Sequence, residues 1–290
     1  MKRILKRIYK WLPFKKQFFL VLRVLPLPES IFKHLHFDGL ISVTVANNTF
    51  KIYHYGYQLE NELFWKGIEG GWEKTSMQIW IALSIKSKNI FDVGANTGVF
   101  SLVSKAVNPN AGVFAFEPVQ RVFEKLVRNV VLNQFEITHV CKGLSDFEGV
   151  ATIYDLPTDH IYSVTINENT NPIDRAVIPT QVEVTTLDTY CEQTKLDQVD
   201  LLKIDVETHE PAVLRGALKT LRKNNPPMII EILNEKVADS INEILEEFDY
   251  MYFYLNEKSG PLFCEKLGAL NFGNYLVCKR SDANFLKLRV

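Results

Sequence analysis

One stretch constrains this chain more than any other: Asn89-Ile90-Phe91-Asp92-Val93-Gly94-Ala95-Asn96-Thr97-Gly98. Residues 90–93 read as a short buried strand, two glycines frame a turn, and Val99, Phe100, Leu102 and Val103 open a helix. Glycine lets the backbone turn sharply and approach a ligand, while the unpaired N–H groups of the helix start face it. The dinucleotide fingerprint asks for G-x-G-x-x-G, and here Asn96 and Val99 stand where its second and third glycines belong. A pyrophosphate cradle is therefore not supported. An acidic strand end, Asp92, fits a cofactor with a sugar and an amino-acid end instead.

From residue 90 onward strands and helices alternate, which predicts right-handed crossovers and a mostly parallel sheet. The second strand, 112–116, ends in Glu117, and Val119, Val122, Phe123, Leu126 and Val130 mark the helix after it. The third, 137–141, stops before Gly143-Leu144-Ser145-Asp146. Residues 150–185 break the rhythm. Strands at 150–154 and 182–185 flank a polar loop with Asp159, His160, Tyr162, Asn167 and Asn169, read as an inserted hairpin or a lid over 155–180. The fourth strand is 200–206, followed by a helix with Leu214, Ala217, Leu218 and Leu221 on one face. The fifth is 227–233, and 250–255 with 274–278 close the sheet as an antiparallel pair.

Ahead of this domain, taken as 81–290, residues 29–80 form an α+β addition. Alternation at 40–45 and 50–53 around Asn47-Asn48 predicts a hairpin. An aromatic, glycine-rich loop follows at 57–73, from which Glu73 and Trp72 are in reach of the site, Trp72 otherwise packing. Thr75-x-x-Gln78 resembles a capping box, with Met77, Trp80, Ile81 and Ile85 as the buried stripe. Residues 1–28 form a basic leader: Lys2, Arg3, Lys6, Arg7, Lys10, Lys15, Lys16 and Arg23, without one acid. Ile4, Leu5, Ile8, Trp11 and Leu12 share a helical face opposite those charges. Two readings stand, a helix lying on an anionic membrane surface and a solvated helix packed on its own domain or a second subunit. The apolar run at 18–22 is too short to span a bilayer, and without a small-residue cleavage site no signal peptide is expected.

Composition narrows the rest. With 47% apolar and 23% charged residues the chain is ordinary globular protein, and a net charge of −1 gives no field for nucleic acid. Cys141, Cys191, Cys264 and Cys278 show no C-x-x-C pair, which favours reduced thiols in a cytoplasmic protein.

Three segments carry a resemblance. Phe91-Asp92-Val93-Gly94-Ala95-Asn96-Thr97-Gly98, then Phe116-Glu117-Pro118, then Asp200-Leu201-Leu202-Lys203-Ile204-Asp205-Val206-Glu207 are similar, in that order, to motifs of the FkbM family of S-adenosylmethionine-dependent methyltransferases. The similarity covers roughly the last 200 residues, a normal domain size. It implies an α/β, Rossmann-like class I methyltransferase fold: a seven-stranded, mostly parallel sheet with a terminal antiparallel hairpin. It also implies S-adenosyl-L-methionine as cofactor and transfer of its methyl group to oxygen, on a hydroxyl of a glycan or secondary metabolite.

In open parallel sheets ligands bind outside the carboxyl ends of the strands. Those ends are Asp92, Glu117, the 144–146 turn, Asp205 and Glu231, an unusual set of carboxylates at one rim. On the family reading Glu117 accepts both hydrogen bonds of the ribose diol. Asp92 holds the methionine amino group or caps the turn, Gly94 and Gly98 serve by their backbone, and Asn96 bonds the methionine part. Asp146 accepts the adenine amino group, with Leu144 or Ser145 beside the ring. Asp205 sits where the methyl group meets the acceptor, and His209 or Glu207 takes the hydroxyl proton; otherwise His209 is a helix-start residue bonding a loop. Thr208 departs from the family's glycine, which touches local backbone shape. Asp188 matches a family segment and is otherwise a helix cap. No metal is expected, the alternative being a magnesium or calcium site from Asp188, Asp205 and Glu231. Two other functions are carried: a dehydrogenase, against which the missing glycines speak, and a membrane-associated scaffold without turnover.

Overall fold

The computed structural model describes residues 14–71, 73–155 and 178–289. It begins with α1 (Lys15–Leu22), a short α2 (Glu29–Phe32) and the hairpin of β1 (Gly39–Val45) and β2 (Asn48–His54). Ile41, Val43, Val45, Phe50 and Ile52 point inward, as their period of two requires. Helices α3 (Gln58–Lys66) and α4 (Lys74–Lys86) follow. The expected capping box does not form. Thr75 donates its side chain to the Asn256 carbonyl, and Glu257 caps α4 by accepting the Thr75 N–H at 2.7 Å.

The large sheet begins with β3 (Asn89–Val93), then α5 (Val99–Val107), β4 (Gly112–Phe116), α6 (Gln120–Asn133) and β5 (Ile137–Val140). Next come β6 (Gly143–Leu144), β7 (Gly149–Asp155) and β8 (Ile178–Thr185). These three form a separate sheet in which β7 and β8 pair antiparallel, the expected inserted hairpin, with β6 added parallel to β8. The polar loop singled out between them lies outside the described residues, as does Trp72. The chain then runs through α7 (Leu187–Thr194), β9 (Leu201–Ile204), α8 (Glu210–Arg215), α9 (Leu218–Asn224), β10 (Met228–Ile232) and α10 (Glu235–Leu245). It ends with β11 (Met251–Asn256), β12 (Gly260–Cys264), β13 (Gly273–Cys278) and α11 (Arg280–Phe285).

The large sheet has the order β12-β11-β13-β10-β9-β3-β4-β5. Strands β5, β4, β3, β9 and β10 are parallel; β13, β11 and β12 are antiparallel to their neighbours. Among the described residues it holds eight strands rather than seven. The eighth, β12, is a short edge strand with Pro261 inside it and Leu262 and Phe263 exposed, a composition tolerated only where one edge faces water. The single helix expected after β9 is two. The break falls at Gly216, where a Cβ would come within 1.9 Å of the Ser145 carbonyl, so the chain passes that turn at backbone contact.

Two cores lie on opposite faces of this sheet. Ile90, Leu201 and Ile229 point to the face covered by α4, α5, α6 and the β1–β2 hairpin. Phe91, Leu202 and Ile230 point to the face covered by α7 to α10. The hairpin is fastened to α6 by two asparagines one turn apart. Asn133 accepts the Lys51 N–H and donates to the Lys51 carbonyl, both at 2.6 Å, and Asn129 accepts the Tyr53 N–H at 2.9 Å. These amides complete the outer edge of β2 as a further strand would.

Candidate active site

Strand order reverses between β3 and β9, where chain segments leave the sheet centre in opposite directions and a crevice opens above the strand ends. The Gly94 turn sits there. Its φ of 79° is left-handed, and a Cβ on it would lie 1.8 Å from the Asp205 carbonyl, so only glycine lets the two strand ends approach this closely. The Gly94 and Ala95 N–H groups donate to the Phe116 carbonyl at 3.0 and 2.9 Å, and the Asp205 N–H donates to Val93 at 3.0 Å. Three strand ends are thereby tied into one rim.

Glu117 forms one wall of the crevice. Its Oε2 accepts the Asn96 N–H and its Oε1 the Val119 N–H, each at 3.0 Å, leaving lone pairs on both oxygens. Burial pushes its carboxyl up to about 7, against the pull of those two N–H groups. Asn96 is itself left-handed (φ 52°), which presents its N–H to Glu117.

The second wall follows from strand periodicity. Asp92, Lys203 and Glu231 continue the faces of Ile90, Leu201 and Ile229 by two residues, so all three point to the same side where the apolar core ends. Asp92 is 1% exposed; its Oδ2 accepts the Ser101 N–H at 3.0 Å and the Ser101 hydroxyl at 2.6 Å. Its Oδ1 finds no donor among the described residues, and burial raises its carboxyl. Lys203 is the cation of this wall, donating to Asp205 Oδ2 at 2.6 Å and lying 4.4 Å from the Phe100 ring centre. Burial works against its charge, but Asp205, Glu73 and Asp92 together raise it. Burial first, then the Asp205 and Glu207 carboxylates, keep Glu231 protonated well above the usual range. Glu73 also lines the crevice, pushed up to about 7 by burial with Lys203 pulling the other way.

The N-terminal addition closes one side. Leu59 reaches the crevice, and buried Glu60 accepts the Thr97 hydroxyl at 3.1 Å. Asn129 of α6 donates to the Thr97 carbonyl at 2.9 Å, so the turn is held from two directions.

Of the residues singled out in the sequence, Asp92, Gly94, Asn96, Glu117, Leu144, Asp205 and Glu207 line the crevice, while Gly98 starts α5 beneath it. Four others do not join them. His209 stands at the start of α8 with Nε2 3.0 Å from Ser145 Oγ, and burial lowers its pKa. Ser145 is fully buried in that contact, and Asp146 is ion-paired with Arg215 Nε at 3.0 Å. His209 thus bonds the Ser145 loop from a helix start, and it does not line the crevice. Asp188 accepts the Lys219 and Thr220 N–H groups at the start of α9, a cap on a helix other than its own, and is not brought to Asp205 and Glu231. Among the described residues no three His, Cys, Asp or Glu side chains are grouped to hold a metal ion. Sequence reasoning missed Lys203, although a lone lysine inside Leu201-Leu202-Lys203-Ile204 signals a buried, paired charge.

A parallel sheet reversed at β3 and β9, an antiparallel β13 beside β10, and an acidic β4 end beside a glycine turn define the Rossmann-like fold of class I methyltransferases. The chain belongs to the Methyltransferase FkbM domain family, which it matches over residues 92–258. That family uses S-adenosylmethionine. It is 32% identical over 142 residues to "Methyltransferase 1" of Beauveria bassiana (strain ARSEF 2860), covering 44% of this chain and 57% of that protein. It is 28% identical over 166 residues to "2-O-methyltransferase NoeI" of Sinorhizobium fredii (strain NBRC 101917 / NGR234), covering 52% of this chain and 65% of that one. The chain therefore spans less than two thirds of the length of these curated relatives. A solved FkbM methyltransferase from Methylobacillus flagellatus KT aligns with a TM-score of 0.41 at 18% identity, over 66% of this chain and 43% of that one.

Proposed function

We propose that this chain is an S-adenosylmethionine-dependent O-methyltransferase acting on a hydroxyl of a glycan or secondary metabolite, with residues 29–80 shaping the acceptor side of a domain over 81–290. The observation that carries the reading is the excess of carboxylates, buried Asp92 and Glu117 with half-buried Asp205, around a single glycine turn and a single buried lysine. Such a rim fits a ligand that brings positive charge and a vicinal diol. The orphaned Asp92 Oδ1 is the acceptor for an ammonium group, and the lone pairs left on Glu117 are the acceptors for ribose hydroxyls. When bound, the cofactor supplies a methyl group on a sulfonium, transferred by in-line displacement to the acceptor oxygen.

What the chain itself adds is position and a proton acceptor. As the new C–O bond forms, the hydroxyl proton has to leave. Glu73, held near neutral by burial, is the rim carboxylate best matched to take it at pH 7, with Asp205 and Glu207 orienting the hydroxyl. Oxygen rather than nitrogen as acceptor is favoured by the family and by the 2-O-methyltransferase among the relatives.

Calorimetric titration of S-adenosylmethionine and its demethylated product against wild type and Glu117→Ala tests this. Micromolar binding that weakens at least about tenfold in the variant is expected, as loss of a charge-assisted pair implies. A folded wild type that binds neither compound would sink the proposal, and binding of a nicotinamide dinucleotide instead would favour the dehydrogenase.

A further inference from the structure

Helix α1 is apolar on two opposite sides. Its inward side anchors it: Phe19 is 1% exposed, with its ring 6.1 Å from that of Phe37 and 5.7 Å from that of Trp65, and Leu22 packs on the same core. Its outward side is exposed among the described residues. Phe18 and Val21 on the helix, with Phe14 just before it and Leu25 just past its end, form a row that is 53%, 69%, 75% and 53% exposed in that order. Val24 is 81% exposed beside them. A contiguous row of large apolar side chains on a helix already fixed to its domain is an interaction surface, not a packing remnant.

The charge of this stretch of the sequence selects the partner of the row. Residues 1–28 hold eight lysines and arginines and no acid. A second copy docked by the same row in an isologous dimer would bring two such segments together, like charge against like charge. A surface of anionic lipid headgroups meets both requirements at once, taking the apolar row into its acyl boundary and the basic residues onto its phosphates. No described helix is long and apolar enough to cross a membrane. We propose that α1 seats this protein on an anionic bilayer surface, lying in the membrane plane with Phe14, Phe18, Val21 and Leu25 inserted. The inference is independent of the reaction proposed above.

The test is flotation of the 290-residue chain with vesicles of phosphatidylcholine alone and of phosphatidylcholine with about 30% phosphatidylglycerol, an anionic fraction high enough to set the surface potential. Wild type is expected to float with the anionic vesicles only, and the bound fraction should fall at least about fivefold near 0.5 M salt, where screening is strong. Phe18→Asp with Val21→Asp should lose flotation, and Phe18→Ser with Val21→Ser should lose most of it. Both pairs are exposed, so unchanged melting and unchanged S-adenosylmethionine binding will separate a lost surface from a lost fold. Absence of wild-type flotation on anionic vesicles, equal flotation of the double Asp variant, or a dimer in solution that this variant abolishes would each overturn the proposal.

Discussion

Lys203 Nζ lies 2.6 Å from Asp205 Oδ2, two residues along the same strand end, the lysine buried and the aspartate half-buried. This pair is the electrostatic centre of the crevice, because Asp92 and Glu73 also face the lysine. Removing the cation leaves buried carboxylates without compensation, and removing one member of a buried pair is costly. Lys203→Met should therefore destabilise the chain by about 3 kcal/mol, read by urea unfolding at neutral pH. A change below about 1 kcal/mol would mean the pair is effectively solvated.

Glu73 belongs to the addition rather than to the methyltransferase motifs, yet it reaches the same crevice. If it accepts the acceptor's proton, Glu73→Gln should lower turnover by about 10²- to 10⁴-fold while cofactor affinity stays nearly unchanged. Wild-type rate should fall below about pH 7, where the acid form takes over. A rate profile that is flat across this range would remove the residue from the chemistry.

Thr208 stands where the family pattern has glycine, and its φ is 78°. That region disfavours a β-branched residue. The turn is held in place by Glu210, whose Oε1 accepts the Val206 and Thr208 N–H groups at 3.1 and 3.3 Å. Thr208→Gly should raise stability by about 1 kcal/mol in chemical denaturation.

His209 bonds Ser145 and is packed at the start of α8. His209→Ala should lower the melting temperature by several degrees while turnover stays within about threefold of wild type, where loss of a general base would cost at least about a hundredfold. A steady-state rate with the melting curve beside it checks this.

Buried carboxylates also set a pH dependence of stability. Burial raises Glu60 and Glu117 to about 7 and Glu210 to about 8. Each folded pKa lies above the unfolded value, so the folded chain holds more protons in between, and stability falls as pH rises through this window. The cofactor-free chain should melt several degrees higher near pH 5 than near pH 8. S-adenosylmethionine should flatten the slope by favouring the charged form of Glu117.

Much of the candidate site is legible in the sequence. The strand, the Gly94 turn and the helix start of motif 89–98 depend on neighbours in sequence, so local propensity and period sufficed. Glu117 was legible because an acid directly after a five-residue apolar strand can only sit at the strand's end. The inserted hairpin showed as two alternating runs, though its β6 partner did not, since pairing with β8 spans forty residues of unrelated pattern.

What the sequence determined by itself was the class of sheet, the order of its motifs and the glycine turn, all functions of short-range periodicity. What only tertiary structure decided was which charges meet. Lys203 faces Asp92 and Glu73 because β9 lies beside β3 and the N-terminal addition reaches the same crevice. Asp146 is claimed by Arg215 and His209 by Ser145, contacts set by helices 64 or more positions away in the chain. Strand β12 has too few apolar residues to be read alone and exists because β11 offers it an edge. Side-chain direction follows from period, but partners follow from packing, and packing joins residues that no local pattern relates.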